Sequence, residues 1–214
     1  MLLHLIKKDI LIAKKYVFIT MLAILAIPLF IMLVAPSLSG LIPFLYMVVL
    51  GELILLQAIS QEEAKYPKTT ALLCAAPYPR KTLVKAKYTL FLLIFAYCCF
   101  IYAIVNFFIN KSGIIDLTMI LTVMLVSAII FGIYMPIEFK HGFVKARFIF
   151  MMVIIVFSLG PSVLVNLFGD VRLDFSAFAT ISSGTKNIVL VLANILVLGI
   201  SMMVSISIFS KKEL

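Results

Sequence analysis

Long apolar runs separated by short polar segments make up most of the chain between residues 16 and 209. Each run holds about 20 mostly apolar residues, which is the length that a helix needs to cross a bilayer. The runs are continuously apolar and lack the period-2 alternation of a membrane β-barrel. The pattern therefore predicts an all-α polytopic membrane protein with six transmembrane helices, at residues 16–35, 41–60, 84–109, 117–137, 148–168 and 187–209.

Residues 1–15 have a helical periodicity of their own. Leu2, Leu5, Ile6, Ile10 and Ala13 fall on one helical face, and the four lysines of this segment lie largely elsewhere. This arrangement predicts an N-terminal amphipathic helix that lies in the membrane interface and leads into the first span. A simple extension of the first span is the alternative. A secretory signal is disfavoured because the apolar run is too long for a signal core.

Composition agrees with a membrane protein. The 214 residues are 64% hydrophobic and 13% charged, whereas soluble domains are nearer half apolar and a quarter charged. A globule of this size could not bury the excess in one core, so lipid is the expected solvent. We find no internal repeat and no sign of a second domain, and we treat residues 1–214 as one transmembrane domain.

The basic residues predict the orientation. With the N-terminus inside, 15 of the 18 lysines and arginines fall in inner segments. The positive-inside rule then predicts that both termini are cytoplasmic. The net charge of +9 is thus explained by topology and by contact with anionic lipid, and no nucleic-acid partner is expected. The three basic residues left outside are Lys111, Arg172 and Lys186.

Motifs for catalysis and for cofactor binding are missing from the sequence. It has no Gly-x4-Gly-Lys-Ser/Thr loop, so we do not expect this chain to be an enzyme that hydrolyses ATP. His4 and His141 are far apart and have no zinc-binding spacing. Cys74, Cys98 and Cys99 suggest neither a disulfide framework nor a metal site. We therefore expect no catalytic residue, no metal and no cofactor.

Glu52 is the one ionisable residue that falls well inside a predicted span. A charge at mid-membrane costs about 2.5–3.5 kcal/mol on insertion scales, so such residues usually face a cavity or a partner helix. Glu52 could belong to a transport pathway or a dimer interface, or it could be a hydrogen-bonded group nearer the inner interface. The first possibility keeps open an alternative function as a secondary transporter or channel half.

An enzymatic alternative comes from the paired acids Glu62 and Glu63 at the end of the second span. The pair resembles that of membrane proteases that process prenylated proteins. Their pattern requires an Arg four residues after the second Glu, where this chain has Pro67. It also requires a Phe four residues before a His, where this chain has Ile137 before His141. An intramembrane protease is therefore disfavoured.

The inner loop predicted at residues 61–83 has a distinctive order of features. An acidic pair is followed by Lys65, a short helical segment at 69–76, the stop signal Pro77 and then a basic pair. Composition alone allows two interpretations, a docking element for a soluble partner or a solvated loop that only sets topology. The basic pair is Arg80 and Lys81, and it leads into Val84-x-x-Lys87-Tyr88.

Together these features resemble the permease subunits of type-2 ABC (ABC-2 type) exporters, in particular small bacterial permeases that work with a separate ATPase. The chain is similar to the permeases of phenol-soluble modulin exporters. A second matching element is the inner loop at residues 139–147, although His141 stands where the family often has an aromatic residue. The matching residues of this second inner loop are Lys140, Gly142, Lys145 and Arg147.

The resemblance implies a subunit of an ABC exporter in the bacterial cytoplasmic membrane. It implies a dimer with a second copy or a paralogue, a cytoplasmic ATPase partner, and an amphipathic or hydrophobic substrate such as an antimicrobial or cytotoxic peptide. The ATPase would bind the interfacial helix and a coupling helix within residues 64–76. The implied ATPase-coupling residues are Glu62, Glu63, Lys65, Lys68, Leu72, Leu73, Arg80 and Lys81.

Overall fold

The computed structural model of the chain describes residues 2–34, 41–65, 80–110, 116–143, 145–149, 151, 152, 155 and 183–211. The regular secondary structure in these ranges is α-helical. Residues 145–149 are helical, but most of the span predicted at 148–168 lies outside the described residues. The six longer helices are α1 (Leu2–Ile12), α2 (Lys14–Val34), α3 (Leu41–Ala64), α4 (Arg80–Asn110), α5 (Leu117–His141) and α6 (Ser183–Ser210).

The described helices confirm an all-α membrane protein. Four of them, α3 to α6, are long and apolar enough to cross a bilayer. Helices α1 and α2 meet at a bend of 85°, and they add a fifth crossing if the pair counts as one span. The described part of the chain therefore accounts for four or five crossings, against the six that the apolar runs predict.

Helices α5 and α6 run side by side in the same direction. Near their N-terminal ends, Thr118 Oγ1 donates a hydrogen bond to Asn187 Oδ1 over 3.0 Å. Near their C-terminal ends, the rings of Phe139 and Phe209 are 5.2 Å apart. Since the two helices are parallel, the chain that connects them has to return from the C-terminal end of α5 to the opposite end of the bundle.

The C-terminal ends of α3 and α5 also lie together, because Ser60 Oγ donates a hydrogen bond to Glu138 Oε1. Helix α4 runs the other way, since Lys87 near its start donates to Glu63 near the end of α3. One end of the bundle therefore collects the C-terminal ends of α3, α5 and α6 and the N-terminal end of α4. We call it the cluster end, after the charged side chains described below.

The helices extend beyond the apolar runs that predicted them. Helix α3 continues to Ala64 and α4 begins at Arg80, so the loop predicted at 61–83 is shorter at both ends. Residues 66–79, which would hold the coupling helix, lie outside the described residues. Helix α5 ends at His141 and is capped by Gly142, whose φ of +80° favours glycine and whose N–H donates to the Glu138 carbonyl over 2.8 Å.

Close contacts between small or aromatic residues hold the bundle together. Phe91 and Phe131 stack with their ring centres 4.3 Å apart. Ser201 Oγ of α6 donates a hydrogen bond to the Gly132 carbonyl of α5 over 2.8 Å. The same serine hydroxyl is 2.6 Å from the Tyr88 hydroxyl of α4. Small residues let membrane helices approach closely, and such interhelical hydrogen bonds satisfy polar groups inside an apolar bundle.

Candidate functional site

Four charged side chains from three helices converge at the cluster end. Lys8 and Asp9 come from α1, Glu63 comes from the last turn of α3, and Lys87 comes from the second turn of α4. We call these four residues the charged cluster. It joins the N-terminal helix to the two helices that flank residues 66–79.

Charges of opposite sign alternate around the cluster. Lys87 Nζ is 2.8 Å from Glu63 Oε2 and 4.0 Å from Asp9 Oδ2. Lys8 Nζ is 3.1 Å from Glu63 Oε1 and 3.0 Å from Asp9 Oδ1. Each carboxylate therefore lies between two ammonium groups, and each ammonium lies between two carboxylates. The ring has no net charge, which is the arrangement that a water-poor environment requires.

Half of the cluster is buried, whereas the side chains of Lys8 and Glu63 are 25% and 28% exposed. Asp9 is 3% exposed and Lys87 is 8% exposed. Burial raises the pKa of the Asp9 carboxyl above its ordinary value, although the ammonium groups of Lys87 and Lys8 oppose this shift. A buried ion pair that loses one partner leaves an uncompensated charge. Loss of one charge should therefore destabilise the packing of the remaining members of the cluster.

Helix α1 turns Asp9 towards the bundle together with part of its apolar face. Leu5, Ile6, Asp9 and Ala13 are buried, whereas Ile10 is 39% exposed. Ile10, which the periodicity placed on the same face, thus lies at its exposed edge, and Asp9 joins the buried part of that face. The buried residues follow helical spacing, one and two turns apart, so Asp9 enters the packing contact together with its apolar neighbours.

Glu138 of α5 adjoins the charged cluster. Its Oε1 accepts a hydrogen bond from Ser60 of α3, and its charge interacts with that of Lys87. Its Oε2 is buried and has no hydrogen-bond partner among the described residues. Glu138 thus brings α5 next to the charged cluster, and the hydroxyl of Tyr134 interacts with its carboxyl.

The predicted coupling residues have different surroundings. Glu63 is a member of the charged cluster, while its neighbour Glu62 pairs with Lys65 one turn later on the exposed surface. Lys81 is exposed in the first turn of α4. The remaining members of the predicted set lie outside the described residues or side chains, namely Lys68, Leu72, Leu73 and the side chain of Arg80.

The second predicted element, at residues 139–147, starts at the cluster end. Lys140, Lys145 and Arg147 are exposed, and none of them has an ion pair with the charged cluster. Gly142 ends α5 through its positive φ. The three cationic side chains are therefore accessible at the surface of the described structure, and Gly142 has a structural role as the cap of α5.

Glu52 lies deep in the bundle, apart from the charged cluster. It is 2% exposed and shares a small apolar pocket with Ser127, Leu53 and Phe131. Its Oε1 has no hydrogen-bond partner among the described residues. Glu52 therefore lies within a helix that is long and apolar enough to cross a membrane, and its role stays a prediction.

Three members of the cluster were not among the predicted site residues, namely Lys8, Asp9 and Lys87. Hydropathy treats a charged residue at a span boundary as a topology signal, and it does not show which partner the residue meets. Within the described residues, no group of three His, Cys, Asp or Glu side chains could hold a metal ion. Both carboxylates of the cluster pair with lysines, so the cluster is suited to joining α1, α3 and α4.

Comparison with known families gives one match that covers nearly the whole chain. A family model described as ABC-2 family transporter protein matches residues 4–210. Comparison with curated proteins and with solved structures gives no match.

Proposed function

The chain belongs to the ABC-2 family of transporter proteins, and we propose that it is the membrane permease subunit of an ATP-driven exporter whose ATPase is a separate chain. The match to residues 4–210 includes every described helix that could cross a membrane. A separate ATPase is proposed because the sequence has no phosphate-binding loop of its own.

The charged cluster is the observation that carries this proposal. It ties the end of α3 and the start of α4, which flank residues 66–79, to the N-terminal helix α1. A push on residues 66–79 from a soluble partner would therefore reach α1 and the bundle together. Interfaces and packed elements of this kind respond as discrete units, which is what coupling of a remote ATPase to the spans needs.

We propose six crossings with both termini in the cytoplasm. The parallel α5 and α6 support this number, because the chain between them has to recross the bundle, and the apolar run at 148–168 is long enough to do so. The 85° bend between α1 and α2 supports an interfacial α1. The distribution of 15 basic residues supports a cytoplasmic cluster end.

The transported molecule is proposed to be amphipathic or hydrophobic, such as a cytotoxic or antimicrobial peptide, and to move outward across the bacterial cytoplasmic membrane. A second permease copy or a paralogue would complete the pathway. Apolar residues cover much of the helix surface, including α6, where Ile195 is 65% exposed and Met203 is 71% exposed. Such surfaces suit contact with lipid, with a second permease or with an apolar cargo.

Purification from native membranes in mild detergent tests the proposal. An ATPase with a phosphate-binding loop should co-purify, and inside-out vesicles should take up a fluorescent amphipathic helical peptide only when ATP is present. Charge reversal by Lys68→Glu with Arg80→Glu should leave ATP hydrolysis but stop this uptake. Lys186→Glu, at the opposite end of the bundle, is the matched control. Recovery of the chain without any ATPase, or uptake unchanged by the double reversal, would contradict the proposal.

A secondary transporter is the second candidate, and Glu52 is the observation that favours it. Its carboxyl is buried within a helix that could cross a membrane, and ionisable residues inside spans often mark ion or proton pathways. Uptake that survives ATP depletion, collapses with the proton gradient and is lost in Glu52→Gln would favour this candidate. The permease proposal expects uptake in Glu52→Gln to continue and to require ATP.

A further inference from the structure

A groove between α2 and α4 leaves space that no described side chain fills. Its cavity is about 130 Å³ in volume, close to the roughly 150 Å³ of an apolar cavity that can hold benzene. The walls come mainly from aliphatic side chains of the two helices, such as Val17 and Met21 on one side and Leu90 and Leu93 on the other. The groove therefore has room for a short stretch of hydrocarbon.

The chemistry of the walls restricts what can enter. Among the lining residues only Thr20 and Tyr97 carry a hydroxyl, and Thr20 Oγ1 already donates to the Tyr16 carbonyl over 2.7 Å. A polar molecule would thus lose hydrogen bonds to water and gain few in return. An aliphatic chain has no hydrogen bonds to water to lose, and it fills the void. The groove therefore selects an apolar occupant.

The groove opens to the outer surface of the bundle. Met21 is 44% exposed and Leu93 is 51% exposed, although both line the cavity. In a membrane protein, an exposed apolar surface of this kind suits contact with the acyl chains of the bilayer. Lipid therefore has direct access to the groove.

Cations lie beside the end of the groove that is formed by α1 and the start of α2. Lys7 and Lys14 are exposed, and each lies one helical turn before a lining residue, Ile10 and Val17 respectively. Residues three apart share a helical face. Two ammonium groups next to an apolar slot complement a molecule that has an anionic head and a hydrocarbon tail.

We propose that this groove binds one acyl chain of an anionic phospholipid, with the phosphate of the headgroup held by Lys7 and Lys14. The lipid lies against the corner between α1 and α2 and against α4. Because α1 also carries Lys8 and Asp9 of the charged cluster, the bound lipid helps to hold α1 in place. This site is independent of the proposed transport and of any ATPase.

The absence of tryptophan from the sequence makes a local test possible. Leu93→Trp introduces one reporter into the groove, and Ile195→Trp introduces a matched reporter on the exposed face of α6. Both variants are reconstituted in phosphatidylcholine vesicles with a minor fraction of brominated phosphatidylglycerol, which quenches nearby tryptophan. The proposal expects stronger quenching in Leu93→Trp than in Ile195→Trp, and no such difference when phosphatidylcholine carries the bromine.

Adding Lys7→Gln and Lys14→Gln to the Leu93→Trp variant should remove the stronger quenching by brominated phosphatidylglycerol. The reason is that each lysine near an anionic lipid contributes roughly fivefold in affinity. Native mass spectrometry of the unaltered protein, purified from a mixture of the two lipids, should show retained phosphatidylglycerol. Equal quenching at both reporters, equal quenching by both brominated lipids, or a preference that survives the lysine substitutions would each overturn the assignment.

Discussion

Substitution of Lys87 by methionine tests the charged cluster most severely. Lys87 Nζ lies 2.8 Å from Glu63 and 4.0 Å from Asp9, and methionine keeps most of its volume without its charge. At an effective dielectric constant of about 20, the gross attraction to Glu63 alone is about 6 kcal/mol. Removal of one partner from a fully buried pair typically costs about 3–5 kcal/mol. Because Glu63 is 28% exposed and keeps Lys8 as a partner, we expect a loss at the lower end of this range.

The apparent melting temperature in detergent should therefore fall. For a protein of this size, about 3 kcal/mol corresponds to roughly 6–12 °C. Size-exclusion chromatography after heating, with the protein followed by fluorescence, measures the shift. Lys85→Met is the matched control, because Lys85 lies in the same helix and is exposed. Its melting temperature should stay close to that of the unaltered protein.

A double-mutant cycle separates the ion pair from a general packing defect. Glu63→Gln removes the charge that Lys87→Met leaves behind, so the double variant should be more stable than the sum of the two single effects by about 1 kcal/mol or more. The reasoning is refuted if Lys87→Met melts like Lys85→Met, or if the two single effects simply add.

Two further substitutions test the packing of the bundle. A Cβ at Gly51 would lie 2.8 Å from Ile24 Cγ1, so Gly51→Leu should push α2 away from α3 and cost about 1–3 kcal/mol of stability. Gly199→Leu is the control and should be tolerated, because no described atom lies within 4 Å of its Cβ position. Equal melting temperatures of the two variants would argue against the close contact. Tyr88→Phe loses hydrogen bonds to two serines of α6 and should cost about 0.6–1.7 kcal/mol of stability. Tyr16→Phe is the exposed control. Equal melting temperatures of these two variants would mean that the hydroxyl of Tyr88 contributes nothing to stability.

The apolar runs predicted the existence of the helices better than their ends. The reason is that hydropathy detects the part of a helix that contacts lipid, while a helix continues wherever its polar residues find partners. Glu62 and Glu63 were assigned to a loop, yet both lie in the last turn of α3, where Glu63 meets two lysines. Arg80 likewise opens α4.

The charged cluster could be predicted only in part. Glu63 was singled out from its motif, but its partners lie 24 residues after it and 55 residues before it. Such pairs form only when three helices pack, and one sequence carries no signal for that packing. The periodicity of α1 contained a clue, since Asp9 lies one turn after Leu5 and one turn before Ala13, and both of these are buried.

Photo-crosslinking in living cells tests the central claim, that a separate ATPase acts on the cluster end. A photo-reactive amino acid replaces Lys65, which is exposed at the end of α3, or Leu117, which is 55% exposed at the opposite end of the bundle. Crosslinked partners are identified by mass spectrometry. The account predicts that a protein with a phosphate-binding loop is captured from the position of Lys65 and is not captured from that of Leu117. Capture of such an ATPase from Leu117 alone, or from neither position, would contradict it.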